Sequence, residues 1–151
     1  MTLRVALTVL LAGLSVACTT KTFVYAAEHR RAWSEDMIDC GDQDPTECAI
    51  DHYSQLAGIA PRLDCQDIAR ATTFEFMAPA EVERRCGSDG VAGCLIGYSA
   101  EGGHALLAED AYGRDPVAAA HETMHALLRC QNSDADNHHR SGVWRGLNPA
   151  D

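Results

Sequence analysis

Residues 121–125 read His121-Glu122-Thr123-Met124-His125, two imidazoles one helical turn apart with a carboxylate beside the first. Positions four apart lie one above the other on a helix, so His121 and His125 face the same way and can grip one metal ion. Imidazoles at this spacing suit zinc, which in a catalytic site takes three protein ligands and keeps a fourth position for water. Zinc acidifies that water and polarises a carbonyl group, while Glu122 beside it can accept the proton as the water attacks. The chemistry implied is hydrolysis. In a chain of this composition the pattern would fall together by chance in roughly 2% of random orders, so the spacing carries information.

The flanking residues predict the helix that this geometry needs. Asp115 precedes Pro116 as an N-cap, Pro suits the first helical position, and Val117 to Leu128 contains neither Gly nor Pro. The stretch Ala118 to Leu127 resembles the active-site helix of zincin metallopeptidases, in which small or uncharged residues surround HExxH and an apolar residue stands two after the second His. The resemblance covers about ten residues. It implies His121 and His125 as zinc ligands and Glu122 as general base. The metzincin extension is not matched: Leu128 stands where that pattern has Gly, and Gln131 where it has its third His.

A third ligand must come from elsewhere in the chain. Asn132-Ser133-Asp134-Ala135-Asp136-Asn137-His138-His139 is rich in turn formers, so the chain can leave the helix after Cys130 and fold back over the metal. His138 is the favoured third ligand, with His139 next and Asp134 or Asp136 as carboxylate alternatives. The carboxylates can instead orient a ligand His.

The N-terminus and the cysteines speak to compartment. Arg4 precedes an apolar stretch from Val5 to Ala17, of signal-peptide length and too short to span a bilayer, so residues 1–17 read as a signal peptide. Ser15-Val16-Ala17-Cys18 resembles a bacterial lipobox, which implies lipid anchorage at Cys18 in the cell envelope; the alternative is a plainly secreted or periplasmic protein. Six cysteines remain after Cys18, an even number that in an exported chain reads as three disulfides. Cys86 with Cys94 is the favoured pair because Gly87-Ser88-Asp89-Gly90 offers a turn between them. Cys130 would tie the HExxH helix to Cys40, Cys48 or Cys65. The formal charge of −10, which becomes −11 without the leader, excludes affinity for nucleic-acid backbones and anionic lipid surfaces. Any membrane contact would run through the lipid.

About 134 residues after cleavage suffice for one core and not two. The reading is a linker over 18–39 and one domain over 40–151. A helix is predicted from Asp44 and Pro45 through Leu56, closed by Gly58; a strand over Thr72 to Met77; a helix over Pro79 to Cys86, closed by Gly87; and a hairpin of Ala92 to Tyr98 with His104 to Glu109. The expected fold is α+β: a small single domain, zincin-like by resemblance, with a short antiparallel sheet packed on the HExxH helix and disulfides stabilising it. By that analogy the strand His104 to Glu109 would run beside the cleft and pair with an extended peptide. Tyr112, Arg140 and Arg145 are candidates to stabilise a developing oxyanion, and Trp144 is expected to pack under the returning loop. The functional expectation is an exported, monomeric zinc metallopeptidase acting on a peptide or protein substrate. The alternative is a non-catalytic, disulfide-rich module that binds zinc or a partner.

Overall fold

Local chemistry starts and stops the helices much as the sequence predicts. Asp44 accepts a hydrogen bond from the Thr46 N–H at 2.8 Å and opens α1, Pro45–Ala57; Gly58 closes it in the left-handed conformation. In this computed structural model, which describes Phe23 and residues 38–132, 134–136 and 138–147, α2 follows as Leu63–Arg70. No local sequence signal predicts α2. It is eight residues long, its N-cap is Arg62, and no side chain caps it, so the usual start signal is missing. The strand β1, Thr73–Met77, and the helix α3, Pro79–Cys86 with Gly87 as its left-handed cap, follow as predicted.

The hairpin is present as β2, Gly93–Ser99, and β3, Gly102–Ala108, but its place in the sheet differs from expectation. The strand order is β1-β3-β2. β3 is therefore the central strand, pairing parallel with β1 and antiparallel with β2. The sheet is mixed rather than antiparallel, because the chain crosses from β1 through α3 before it reaches the hairpin. Central position explains why Ala105 to Leu107 are fully buried. Among the described residues β1 and β2 are the edge strands, and in β2 a bulge between Leu95 and Gly97 turns the exposed Ile96 out of register.

The HExxH helix, α4, spans Pro116–Asn132 and lies at the centre of the molecule. On one side Met124, Leu127 and Leu128 join Ile50, Tyr53 and Cys65 from α1 and α2; on the other Ala118 and Ala119 meet Phe74, Ala105 and Leu107 of the sheet. A helix covered on both sides buries nearly its whole circumference, which accounts for its apolar composition all round.

Three disulfides close the fold: Cys40–Cys48, Cys65–Cys130 and Cys86–Cys94. The bridge with a separation of 65 residues ties the end of α4 to α2, and a loop of that length stabilises by about 4 kcal/mol in the chain-entropy account. The domain is α+β, single and small. The proposed signal peptide, Cys18 and most of the linker lie outside the described residues. The described linker residues do touch the domain: Phe23 packs edge-on against Phe74 and Phe76, the Ile38 N–H donates to the Gly146 carbonyl at 3.1 Å, and Asp39 Oδ1 accepts from the Gly41 N–H at 2.9 Å. No helix among the described residues is long and apolar enough to cross a membrane.

Candidate metal centre

Asp115 holds the start of α4 by accepting from the Val117 N–H at 2.9 Å. Helical periodicity then stacks His121 and His125 on one face, with ring centroids 5.0 Å apart. Each ring is aimed by a backbone carbonyl. His121 Nδ1 lies 2.8 Å from the Leu147 oxygen and His125 Nδ1 lies 2.8 Å from the Ala135 oxygen. A carbonyl can only accept, so Nδ1 carries the hydrogen in both rings and Nε2 presents its lone pair. This is the outer support that metal-binding histidines usually have.

Both carbonyls come from the chain that returns over the helix after its C-terminus, and the same stretch delivers a third imidazole. His139, not the favoured His138, meets the pair: its Nε2 is 3.2 Å from His125 Nε2, and its ring centroid is 4.7 Å from that of His121. His121, His125 and His139 form a group that could hold a metal ion, with ligand atoms all within 4.8 Å of one another. His138 is exposed and outside the group. Neighbouring residues in an irregular turn point in different directions, and here His139 takes a left-handed φ of 50°, which swings its ring inward.

Asp134 and Asp136, the carboxylate alternatives, are occupied with the turn itself. Asp134 Oδ1 accepts from the Asp136 N–H at 3.0 Å. Asp136 accepts from the Arg140 and Ser141 N–H groups and from the Trp144 indole N–H. Burial alone would push the Asp136 carboxyl up, but these donors hold it well below the usual carboxylate range. Trp144, almost fully buried, lies under all three imidazoles with centroid separations of 4.9, 4.5 and 4.3 Å. Trp144 packs under the loop as the sequence predicts, whereas the two aiming carbonyls leave no mark in a sequence, since any residue type supplies one.

Glu122 is buried against the sheet. The Leu95 backbone N–H donates to one carboxylate oxygen, while Oε2 has no hydrogen-bond partner among the described residues. A Cβ at Gly93 would come within 2.6 Å of the Leu106 carbonyl oxygen, so a residue without a side chain is what lets β2 lie this close to β3, beside Glu122. Burial drives the Glu122 pKa up to about 8, a rise that the Leu95 bond opposes. Burial also lowers His121 to about 3 and His125 to about 4, and it lowers His139. At neutral pH all three rings are uncharged, the form in which imidazole binds metal. The three neutral imidazoles are a donor set suited to a cation, and Glu122, outside that set, lines the same cleft.

This group lies in a cleft of about 1080 Å³ bounded by β2, α3 and the turn around Asp110 and Tyr112. The strand along the cleft is β2 rather than β3, which follows from the strand order. Tyr112 reaches the cleft, whereas Arg140 and Arg145 are not among its lining residues. His104 sits on the exposed sheet face between Thr73 and Glu75, and His52 is buried in α1, its pKa lowered by that burial. A second cluster, Asp64 with Cys65 and Cys130, is already committed to a disulfide. No protein-family model, curated protein or solved structure matches the chain.

Proposed function

We propose that the chain is a zinc-dependent metallopeptidase, with His121, His125 and His139 as ligands and Glu122 as general base. The observation that carries this reading is the convergence of three neutral imidazoles, two with Nδ1 committed to carbonyls, beside a buried carboxylate with an unpartnered oxygen. Two nitrogens on a tetrahedral zinc stand about 3.3 Å apart at ordinary bond lengths. The separation of 3.2 Å between His125 Nε2 and His139 Nε2 agrees with that. Three ligands leave a position open, whereas a structural site would be closed by a fourth.

A bound zinc ion acidifies water and polarises a carbonyl group. Glu122, which lines the same cleft, would take the proton of the attacking water and return it to the departing amine, while the Leu95 N–H steadies its carboxylate. A cation held by the three histidines would draw the Glu122 pKa down from its buried value of about 8, toward the range where a general base works best. The free edge of β2 along the cleft supports an extended peptide as substrate, paired to the backbone of the strand. The proposal extends to an exported protein, because disulfides persist in oxidising compartments. The expected leader and the lipobox at Cys18 belong to the same proposal.

The test is cleavage of a broad peptide library by the zinc-loaded protein and by Glu122→Gln. The variant keeps the shape of the side chain but cannot take the proton, so zinc stays bound while hydrolysis falls about 10²-fold or more. Equal residual cleavage by both zinc-loaded proteins removes the catalytic assignment and leaves a binding module.

A further inference from the structure

We infer that Asp136 is a positioning residue of this centre: it never meets the metal, but it holds His139 and Trp144 in the arrangement that completes the site. The inference rests on the metal-centre reading and goes beyond it, since it concerns what aims the third ligand.

Each oxygen of the Asp136 carboxylate is spent on the turn. Oδ1 accepts from the Arg140 N–H at 3.1 Å, and Oδ2 accepts from the Ser141 N–H at 2.8 Å and from Trp144 Nε1 at 2.9 Å. The backbone carbonyl of Asp136 also accepts from the His139 N–H at 2.8 Å. One residue thus binds His139 itself, the two residues after it, and the indole beneath its ring. The preceding residue, Ala135, supplies the carbonyl that aims His125. Asp136 and His139 both have left-handed φ angles, 46° and 50°. Such angles cost free energy for residues other than Gly and persist only where surrounding bonds impose them. Among the described residues the His139 Nδ1 has no hydrogen bond, unlike those of His121 and His125, and its ring direction follows the backbone conformation that Asp136 sets and the Trp144 face.

Zinc affinity, measured with zinc alone against a chromogenic chelator, tests this in wild type, Asp136→Asn, Trp144→Phe, His139→Ala and the double variant Asp136→Asn/His139→Ala. Metal-free thermal unfolding and a thiol assay establish that each is folded with its disulfides intact. Asn has a single acceptor oxygen and cannot keep all three bonds, so Asp136→Asn should weaken zinc binding roughly 10–100-fold, as loss of outer support does at other metal sites. Trp144→Phe removes the indole donor and should weaken binding less, in the same direction. Because Asp136 acts chiefly through His139, the loss in the double variant should be smaller than the sum of the two single losses. Wild-type affinity in Asp136→Asn, or additive losses in the double variant, overturns the inference while a loss in His139→Ala leaves the metal centre standing. Wild-type affinity in His139→Ala overturns the metal-centre reading instead. If Asp136→Asn does not fold, unchanged affinity in Trp144→Phe is the overturning result.

Discussion

Helix α4 and the chain that returns over it each bring imidazole to the same point, and they do so by different physics. The helix places His121 and His125 by periodicity. Its hydrogen bonds, its Asp115 cap and its burial on two sides make the spacing of those rings a property of the backbone. The return has no period. His139 arrives through two left-handed residues, an aspartate that binds three donors and an indole laid under three rings. The helix also depends on the return for aim, because the carbonyls of Ala135 and Leu147 fix the tautomers of its histidines. A motif can therefore name ligands without naming what orients them.

The largest effect should come from the helix. His121→Ala or His125→Ala should leave the purified protein without zinc after dialysis against a chelator, while His104→Ala, on the exposed sheet face, keeps it. Retention in all three would break the comparison at its firmer side.

Next in size is the covalent tie at the helix end. Replacing Cys65 and Cys130 together by Ser should lower the unfolding free energy by about 4 kcal/mol, read by denaturant titration of the metal-free protein. A loss nearer that of Cys40–Cys48, whose separation is eight residues and whose removal should cost about 2.5 kcal/mol, would show that α4 is held by packing alone.

The buried carboxylate gives a pH-dependent contrast. Glu122 binds its proton more tightly in the folded chain, with a pKa of about 8 against 4.5, so the metal-free protein is unaffected below pH 4.5 and loses stability as pH rises through about 8. Glu122→Gln should remove that loss and be the more stable by up to a few kcal/mol above pH 8, with no gain at pH 4. His121 and His125 run the other way: their lowered values make stability fall as pH drops below 6.5 toward 3 to 4. Thermal unfolding across pH 4 to 9 reads both arms, and a Glu122→Gln gain that does not vary with pH would contradict the burial account. Smallest of all, Asp115→Ala should cost about 1 kcal/mol through the lost cap. A cost near zero would mean that packing alone sets the start of α4.

The same division explains what could be read in advance. α1, α3 and α4 announce themselves through Asp44, Pro79, Asp115 and their neighbouring prolines and glycines, because capping is local chemistry. α2 escaped because Arg62 gives no cap, and the sheet order escaped because a parallel partner for β1 is chosen by packing across 31 residues, as in Thr73 with His104, rather than by any turn. The cysteines showed the favoured Cys86–Cys94 pair through its glycines, and left open the partner of Cys130, which is Cys65. Within the site, HExxH was legible and the choice between His138 and His139 was not. Adjacent residues differ there only by a backbone angle that Asp136 and its donors impose.

That choice is where the account is most exposed. Zinc stoichiometry after dialysis should be one per chain in wild type and in His138→Ala, and close to zero in His139→Ala. Zinc lost from His138→Ala and kept by His139→Ala would contradict the metal centre described above.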